Sequence, residues 1–357
     1  MSWWADDELD AELDAQEFDE SSIKMRPNPK ANRPRTKTRP AYANAVPGRI
    51  LTVDRGRFTV LMEEGTAQER EITTSRAREL GKTAIVVGDW VDLVGDVTGN
   101  EGTLSRVVRV APRSTLLRRS ADDTDAVERV IVANADQMLI VIAAANPEPR
   151  ARLVDRYLVA AFDAGITPII MVTKTDIADP TEFLSEFSCL DLTIVRGSQD
   201  GFPLDELKSL LVGHTTVTVG HSGVGKSTLV NALVPGTDRA IGVVNTHTGR
   251  GRHTSSSTLG LRLHDDTGAS GWIIDTPGVR SFGLGHVDPA NVLKSFASLA
   301  FIPEGPPPGG IPLREAHDWE ILDRVKAGEL GESGQARMES LEKIVTTLAQ
   351  RDADRDQ

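Results

Sequence analysis

Residues 216–230, TVTVGHSGVGKSTLV, constrain the fold more than any other stretch of this chain. A β-branched run reaches Gly220, a glycine-rich turn follows, and a helix-forming run begins at Lys226. Gly220, Gly225, Lys226 and Ser227 fit the pattern G-x-x-x-x-G-K-[ST], whose loop also takes in His221, Ser222, Gly223, Val224 and Thr228. Glycines there let backbone N–H groups turn inward around a polyphosphate, and the positive end of the following helix adds to that field. Lys226 is placed to neutralise β/γ-phosphate charge, and the Ser227 hydroxyl to ligate Mg²⁺. Strand, loop and helix occur in the order that this chemistry demands.

The flanking sequence supplies the sheet. Gln137–Ala144, Thr167–Val172, Leu190–Val195 and Thr215–Val219 are apolar runs of strand length, and Arg152–Ala164 and Pro203–Leu211 carry amphipathic helical patterns. Such alternation predicts a mainly parallel sheet covered on both faces, with ligands at the carboxyl ends of its strands. Gly271–Asp275 forms another strand, ending in Asp275-Thr276-Pro277-Gly278. An aspartate at a strand end beside a phosphate loop is the usual Mg²⁺-linked carboxylate, and Gly278 lets the backbone approach a γ-phosphate.

Thr173-Lys174-Thr175-Asp176, at the end of TPIIMV, fits [NT]-K-x-D. Its aspartate would accept from the N1–H and 2-amino group of guanine. Adenine lacks those donors and would leave the carboxylate unpaired. Thr173 stands where asparagine is commoner, a hydroxyl in place of an amide, so somewhat weaker nucleotide binding is expected. The motif lies before the phosphate loop rather than after it. Lys294, Lys326 and Lys343, the lysines beyond Gly278, are not followed by aspartate at the second position. The sequence therefore predicts a circularly permuted α/β GTPase domain over 112–287, with motif order G4-G5-G1-G2-G3.

Residues 45–111 read as five short strands, GRILTV, RFTVLM, REITT, TAIVVGDWVDLV and TLSRVVRV, separated by glycine turns. They predict a small Greek-key barrel of the OB type. Phe58 and Trp90 give little base-stacking surface, so an RNA-reading barrel and a purely structural one both stand. Over 288–357 a short helical pattern and a Pro/Gly-rich loop precede two helical stretches, Leu313–Ala327 and Gln335–Gln350, a small helical C-terminal region.

The net charge is −12, which at first argues against nucleic acid. Nine carboxylates fall in residues 1–20, however, and the rest of the chain carries only −3. A basic, proline-interleaved block follows from Lys24 to Arg39, and residues 1–44 are expected to form a disordered tail, either an RNA-binding arm or a solvated end. No apolar run reaches the length of about 18 residues that a membrane helix needs, and the acidic start is unlike a secretory signal. Cys189 is the single cysteine, so no intramolecular disulfide and no cysteine-rich zinc site is expected, and a cytoplasmic location is.

TKTD, GHSGVGKST, GRGRHTSSS and DTPGVRSFGL, in that order, resemble the RsgA family of ribosome small-subunit-dependent GTPases. The resemblance runs from about Val46 to Leu284 and includes APRSTLLRRS, ANADQMLIVIAA and LVDRYLVAA. It implies an OB domain, a permuted GTPase and a C-terminal domain in a cytoplasmic monomer. Such a protein binds the 30S subunit and its 16S rRNA, assists late maturation, and hydrolyses GTP to GDP and phosphate faster when bound there. By the same resemblance His253 orients the attacking water, and Thr254 or Ser255 reaches Mg²⁺; Val279, after the DxxG glycine, cannot orient water. Arg113, Arg118 and Arg119 become candidate rRNA phosphate contacts. One departure is plain: the family's usual zinc site of three cysteines and a histidine has no cysteines here after Cys189, so a zinc-free C-terminal region is expected. A nucleotide-gated binding protein with incidental hydrolysis is a competing class; a P-loop kinase is disfavoured by TKTD.

Overall fold

The computed structural model describes residues 42–276, apart from 55, 82, 101–103, 121–127, 189, 191, 199–200 and 237–257, together with 327. All of these belong to one unit, Tyr42–Gln357. The expectations for residues 1–41, for His253, Thr254, Ser255, Gly278 and Val279, and for the C-terminal helices lie outside the described residues.

The first five strands are β1 (Val46–Asp54), β2 (Arg57–Met62), β3 (Arg70–Arg76), β4 (Trp90–Gly95) and β5 (Ser105–Val110). They pair in the order β1-β2-β3-β5-β4, and β4 returns to β1, closing a five-stranded barrel. Alternating side chains fill it: Ile50, Phe58, Val60, Met62, Ile72, Val91, Leu93 and Val107 are buried together. The fourth strand is much shorter than the apolar run over 83–94 suggests. At Gly88 the backbone takes a φ of +90°, and a Cβ would stand 2.1 Å from the Ala133 carbonyl oxygen. The fully buried Asp89 carboxylate then accepts from Val86 N–H at 2.8 Å. The turn is spent on docking the barrel against the next domain.

A hairpin of β6 (Leu116–Ser120) and β7 (Glu128–Ala133) comes next, a two-stranded sheet that the sequence reading did not contain. The α/β domain follows with β8 (Gln137–Ala143), α1 (Ala151–Asp163), β9 (Thr167–Thr173), α2 (Thr181–Ser185), β10 (Thr193–Arg196) and α3 (Leu204–Leu211). It continues with β11 (Thr215–Gly220), α4 (Lys226–Leu233), β12 (Leu259–His264) and β13 (Ser270–Asp275). The sheet order is β10-β9-β8-β11-β13-β12, parallel throughout except for the antiparallel β12. β8 reads as unbroken apolar sequence because both its faces are covered. Met138, Ile140 and Ile142 pack with Val154, Tyr157 and Leu158 of α1. Leu139, Val141 and Ala143 pack with Leu207 and Leu211 of α3 and Leu229 and Leu233 of α4.

Two local expectations differ. The third apolar strand begins at Thr193 rather than Leu190, whose side chain is buried in a turn. The short α2 was not anticipated; Asp179 starts it by accepting from Thr181 N–H at 3.0 Å and from the Thr181 hydroxyl at 2.6 Å. Barrel and α/β sheet are continuous, since Thr52 of β1 pairs with Leu259 of β12.

Candidate phosphate and base site

The parallel strands β8, β9, β11 and β13 all end at one edge, and the described residues of the phosphate loop, TKTD and Asp275 lie at their ends. Gly220 closes β11 so near its neighbour that a Cβ would fall 2.5 Å from the Val141 carbonyl oxygen. Gly223 and Gly225 have φ of +84° and +92°, values that favour glycine, and Gly225 caps α4. His221 and Ser227 are partly exposed, Ser222 and Thr228 exposed, and Val224 is buried beneath the loop.

Two side chains of the TKTD tetrapeptide hold that loop from outside. The Thr173 hydroxyl donates to the Val224 carbonyl at 2.6 Å. Lys174, in the left-handed region at φ +58°, donates from its ammonium group to the Gly223 carbonyl at 2.9 Å and to the Asn146 carbonyl. Both side chains are buried. A trans peptide points its N–H opposite to its C=O. Drawing the Gly223 and Val224 carbonyls toward β9 therefore turns the N–H groups of Val224 and Gly225 to the other side of the loop. Lys174 and Thr173 are thus loop-positioning residues, a role the motif pattern alone did not reveal.

Lys226, the first residue of α4, donates to the Asp275 carboxylate and, at 2.6 Å, to the Thr276 carbonyl. Asp275 is 1% exposed and also accepts from the Thr218 hydroxyl at 3.0 Å. Thr276 donates its hydroxyl back to the Thr218 carbonyl at 2.7 Å. Thr218 is one of three threonines in β11 and stands between two buried valines, a signal the sequence offered. Thr175 N–H reaches the Gly197 carbonyl at 3.3 Å, so the loop after β10 borders the tetrapeptide. Asp176 is exposed at this edge. Arg113, by contrast, does not face outward. Its guanidinium donates to both oxygens of Asp89, at 2.7 and 2.9 Å, and to the Ala84 carbonyl at 2.7 Å. That contact raises the pKa of Arg113 and commits it to the junction between barrel and α/β domain. Arg119 is exposed on β6, and Arg118 is half-buried.

The RsgA GTPase profile matches residues 110–285. The small ribosomal subunit biogenesis GTPase RsgA of Pseudomonas syringae pv. syringae (strain B728a) is 37% identical over 299 residues, covering 80% of this chain and 82% of that protein. The chain belongs to the RsgA family. A second RsgA relative, from Pseudomonas aeruginosa (strain LESB58), is 40% identical over 220 residues, 60% of this chain and 62% of its own length, so the chain spans less than two thirds of it. Among solved structures, YjeQ from Thermotoga maritima superposes with a TM-score of 0.56 at 25% identity, covering 85% of this chain and 99% of that one. YloQ, described as a circularly permuted GTPase, gives 0.58 at 20% identity, covering 87% and 97%. The RsgA-family fold here is thus a circularly permuted GTPase fold preceded by a five-stranded barrel. No helix of its described residues is long and apolar enough to cross a membrane.

Proposed function

We propose that this chain is a GTP hydrolase that binds the 30S ribosomal subunit through its 16S rRNA and assists late maturation of that subunit. Hydrolysis of GTP to GDP and phosphate would be stimulated by the subunit. The observation that carries this reading is the Lys174 ammonium donating to the Gly223 carbonyl, which joins the guanine-reading tetrapeptide to the phosphate loop. The proposed motif order is G4-G5-G1-G2-G3, read from TKTD preceding the phosphate loop in the chain; the Lys174 contact is compatible with it, because permutation leaves the same strands at the same edge. The proposed division is a tail over 1–44, an OB barrel over 45–111, the GTPase domain over 112–287 and a zinc-free helical region over 288–357, in a cytoplasmic monomer.

Each residue has a task. Asp176 accepts from the guanine edge, with Thr173 and Lys174 fixing the loop it shares. Loop amides from Gly220 to Thr228 surround the phosphates. A triphosphate competes with Asp275 and the Thr276 carbonyl for Lys226, so the lysine exchanges protein oxygens for phosphate oxygens. The donor set fits Mg²⁺, a hard cation that takes hydroxyl and carboxylate oxygens. Ser227 and Thr254 would hold it, and when bound it would supply neutralisation of phosphate charge. His253 orients the water, and Gly278 admits the γ-phosphate to the backbone.

A nucleotide screen with and without small ribosomal subunits tests this. GTP alone should be turned over, and faster with subunits present. Equal turnover of ATP would remove the base-reading role. Subunit binding that depends on GTP but never accelerates hydrolysis would favour a nucleotide-gated binding protein.

A further inference from the structure

The β11–β13 ladder is gripped at both ends, and one grip comes from the barrel. At the site end Thr218 pairs with Asp275; three rungs away, at the opposite end, Thr215 pairs with Trp272. Arg49, a buried residue of β1, reaches across and bonds both strands. Its guanidinium donates to the Thr215 hydroxyl at 2.8 Å and lies 4.8 Å from the Trp272 ring centroid and 5.7 Å from that of Trp90. Trp272 donates its indole N–H to Glu64 at 2.6 Å, and Arg262 of β12 stacks on the same ring at 5.4 Å while pairing with Glu64 and Glu69. Arg49 and Trp272 are both buried, and cation–ring contacts shielded from water are worth more than exposed ones.

We infer that Arg49 is a positioning residue for the triphosphate site: by locking the first rung of the β11–β13 ladder to the barrel, it sets where the last rung holds Asp275. Rigid elements with shared contacts carry such coupling between distant sites. Four side chains from the barrel, Arg49, Glu64, Glu69 and Trp90, and three from the α/β domain, Thr215, Arg262 and Trp272, make the clamp. A partner that rotates the barrel would therefore be felt at the edge where the γ-phosphate sits. This rests on the guanine-nucleotide reading of the site.

The distinguishing readout is the ratio of GTP to GDP affinity, because on the proposed reading the segment after Asp275 and Thr276 meets the γ-phosphate, which GDP lacks. A merely structural clamp would lower both affinities together along with thermal stability. Nucleotide titrations of the full chain with Mg²⁺ should show that Arg49→Met lowers GTP affinity about tenfold, the scale of a typical site-to-site coupling, with GDP affinity held within about twofold. Thr215→Val, which removes only the hydroxyl, should move the ratio the same way by a smaller factor and keeps the test open if Arg49→Met does not fold. Trp272→Phe, which preserves the ring under both guanidinium groups, should restore most of the ratio lost in Trp272→Leu. An unchanged ratio in Arg49→Met and Thr215→Val, or equal loss for both nucleotides, overturns the inference. Failure of the wild-type chain to bind GTP at all would instead overturn the functional reading beneath it.

Discussion

The two ends of the β11–β13 ladder use the same elementary pairing, cation to carboxylate, for opposite purposes. At the carboxyl end the cations are lysines, and their acceptors are main-chain carbonyls and the single buried carboxylate of Asp275. A lysine is a compact point charge on a flexible stem, able to trade one oxygen for another. At the amino end the cations are arginines, both over the Trp272 ring; Arg262 pairs with Glu64 and Glu69, and Arg49 lies 3.9 Å from Glu64. A planar guanidinium stacked on an indole has no equivalent alternative partner. On the proposed function, one end would exchange with a ligand while the other holds.

The largest expected effect comes from stripping the exchangeable end. Lys226→Met should lower triphosphate affinity by about 100-fold or more, in line with about 3 kcal/mol for a charge-assisted contact. It should also lower the unfolding free energy by about 3 kcal/mol, because it leaves the buried Asp275 carboxylate without the Lys226 charge, with the Thr218 hydroxyl still donating to it. Titration calorimetry and urea unfolding check the two halves separately. Removing both charges, as Lys226→Met with Asp275→Leu, should recover part of the stability and none of the binding.

Lys174→Met comes next. It cuts the tie between tetrapeptide and phosphate loop while leaving Lys226 in place. We expect GTP and GDP affinities to fall together by about 10- to 30-fold, equivalent to about 1.5–2 kcal/mol for a hydrogen bond to a charged group. That common fall contrasts with the selective loss expected from Arg49→Met at the other end. A change confined to GTP would erase the distinction between the two ends.

How much of this was legible in the sequence depended on whether a feature is local. β8, β9, β11 and β13 could be read because strands covered on both faces show near-continuous runs of apolar and β-branched residues. The phosphate loop and TKTD could be read because each compresses its chemistry into a few neighbouring residues. β6 and β7 escaped because Leu116–Ser120 mixes two arginines into a half-exposed strand, and the run at 83–94 was overextended because nothing local shows Asp89 meeting Arg113. Arg49 was invisible for the same reason: its partner Thr215 lies 166 residues away. The loop-holding roles of Lys174 and Thr173 likewise required the loop to be seen beside β9.

Breaking the junction away from either ladder end should cost stability with little change in binding. Arg113→Ala removes two hydrogen bonds from the buried Asp89 carboxylate and should lower the unfolding free energy by about 2–3 kcal/mol, with nucleotide affinity changed by less than about twofold. The smallest effect is a pH dependence at the holding end. The hydrogen bond from Arg262 keeps the Glu69 carboxyl below its ordinary value of 4.5. A carboxylate depressed in the folded state stabilises above its unfolded pKa and loses that contribution as pH falls through the folded value. The difference in melting temperature between wild type and Glu69→Gln should therefore be constant above about pH 5 and shrink in more acid solution. A difference that grows on acidification would contradict the assignment.

The most direct measurement is a competition between guanine and xanthine nucleotides at Asp176→Asn. If Asp176 reads the base of a nucleotide whose phosphates lie against Lys226, the variant should lose GTP and gain xanthosine triphosphate, each by about 100-fold as hydrogen-bond partners are mismatched and rematched. Unchanged GTP affinity in Asp176→Asn, with Lys226→Met still abolishing binding, would mean that the two motifs do not serve one ligand.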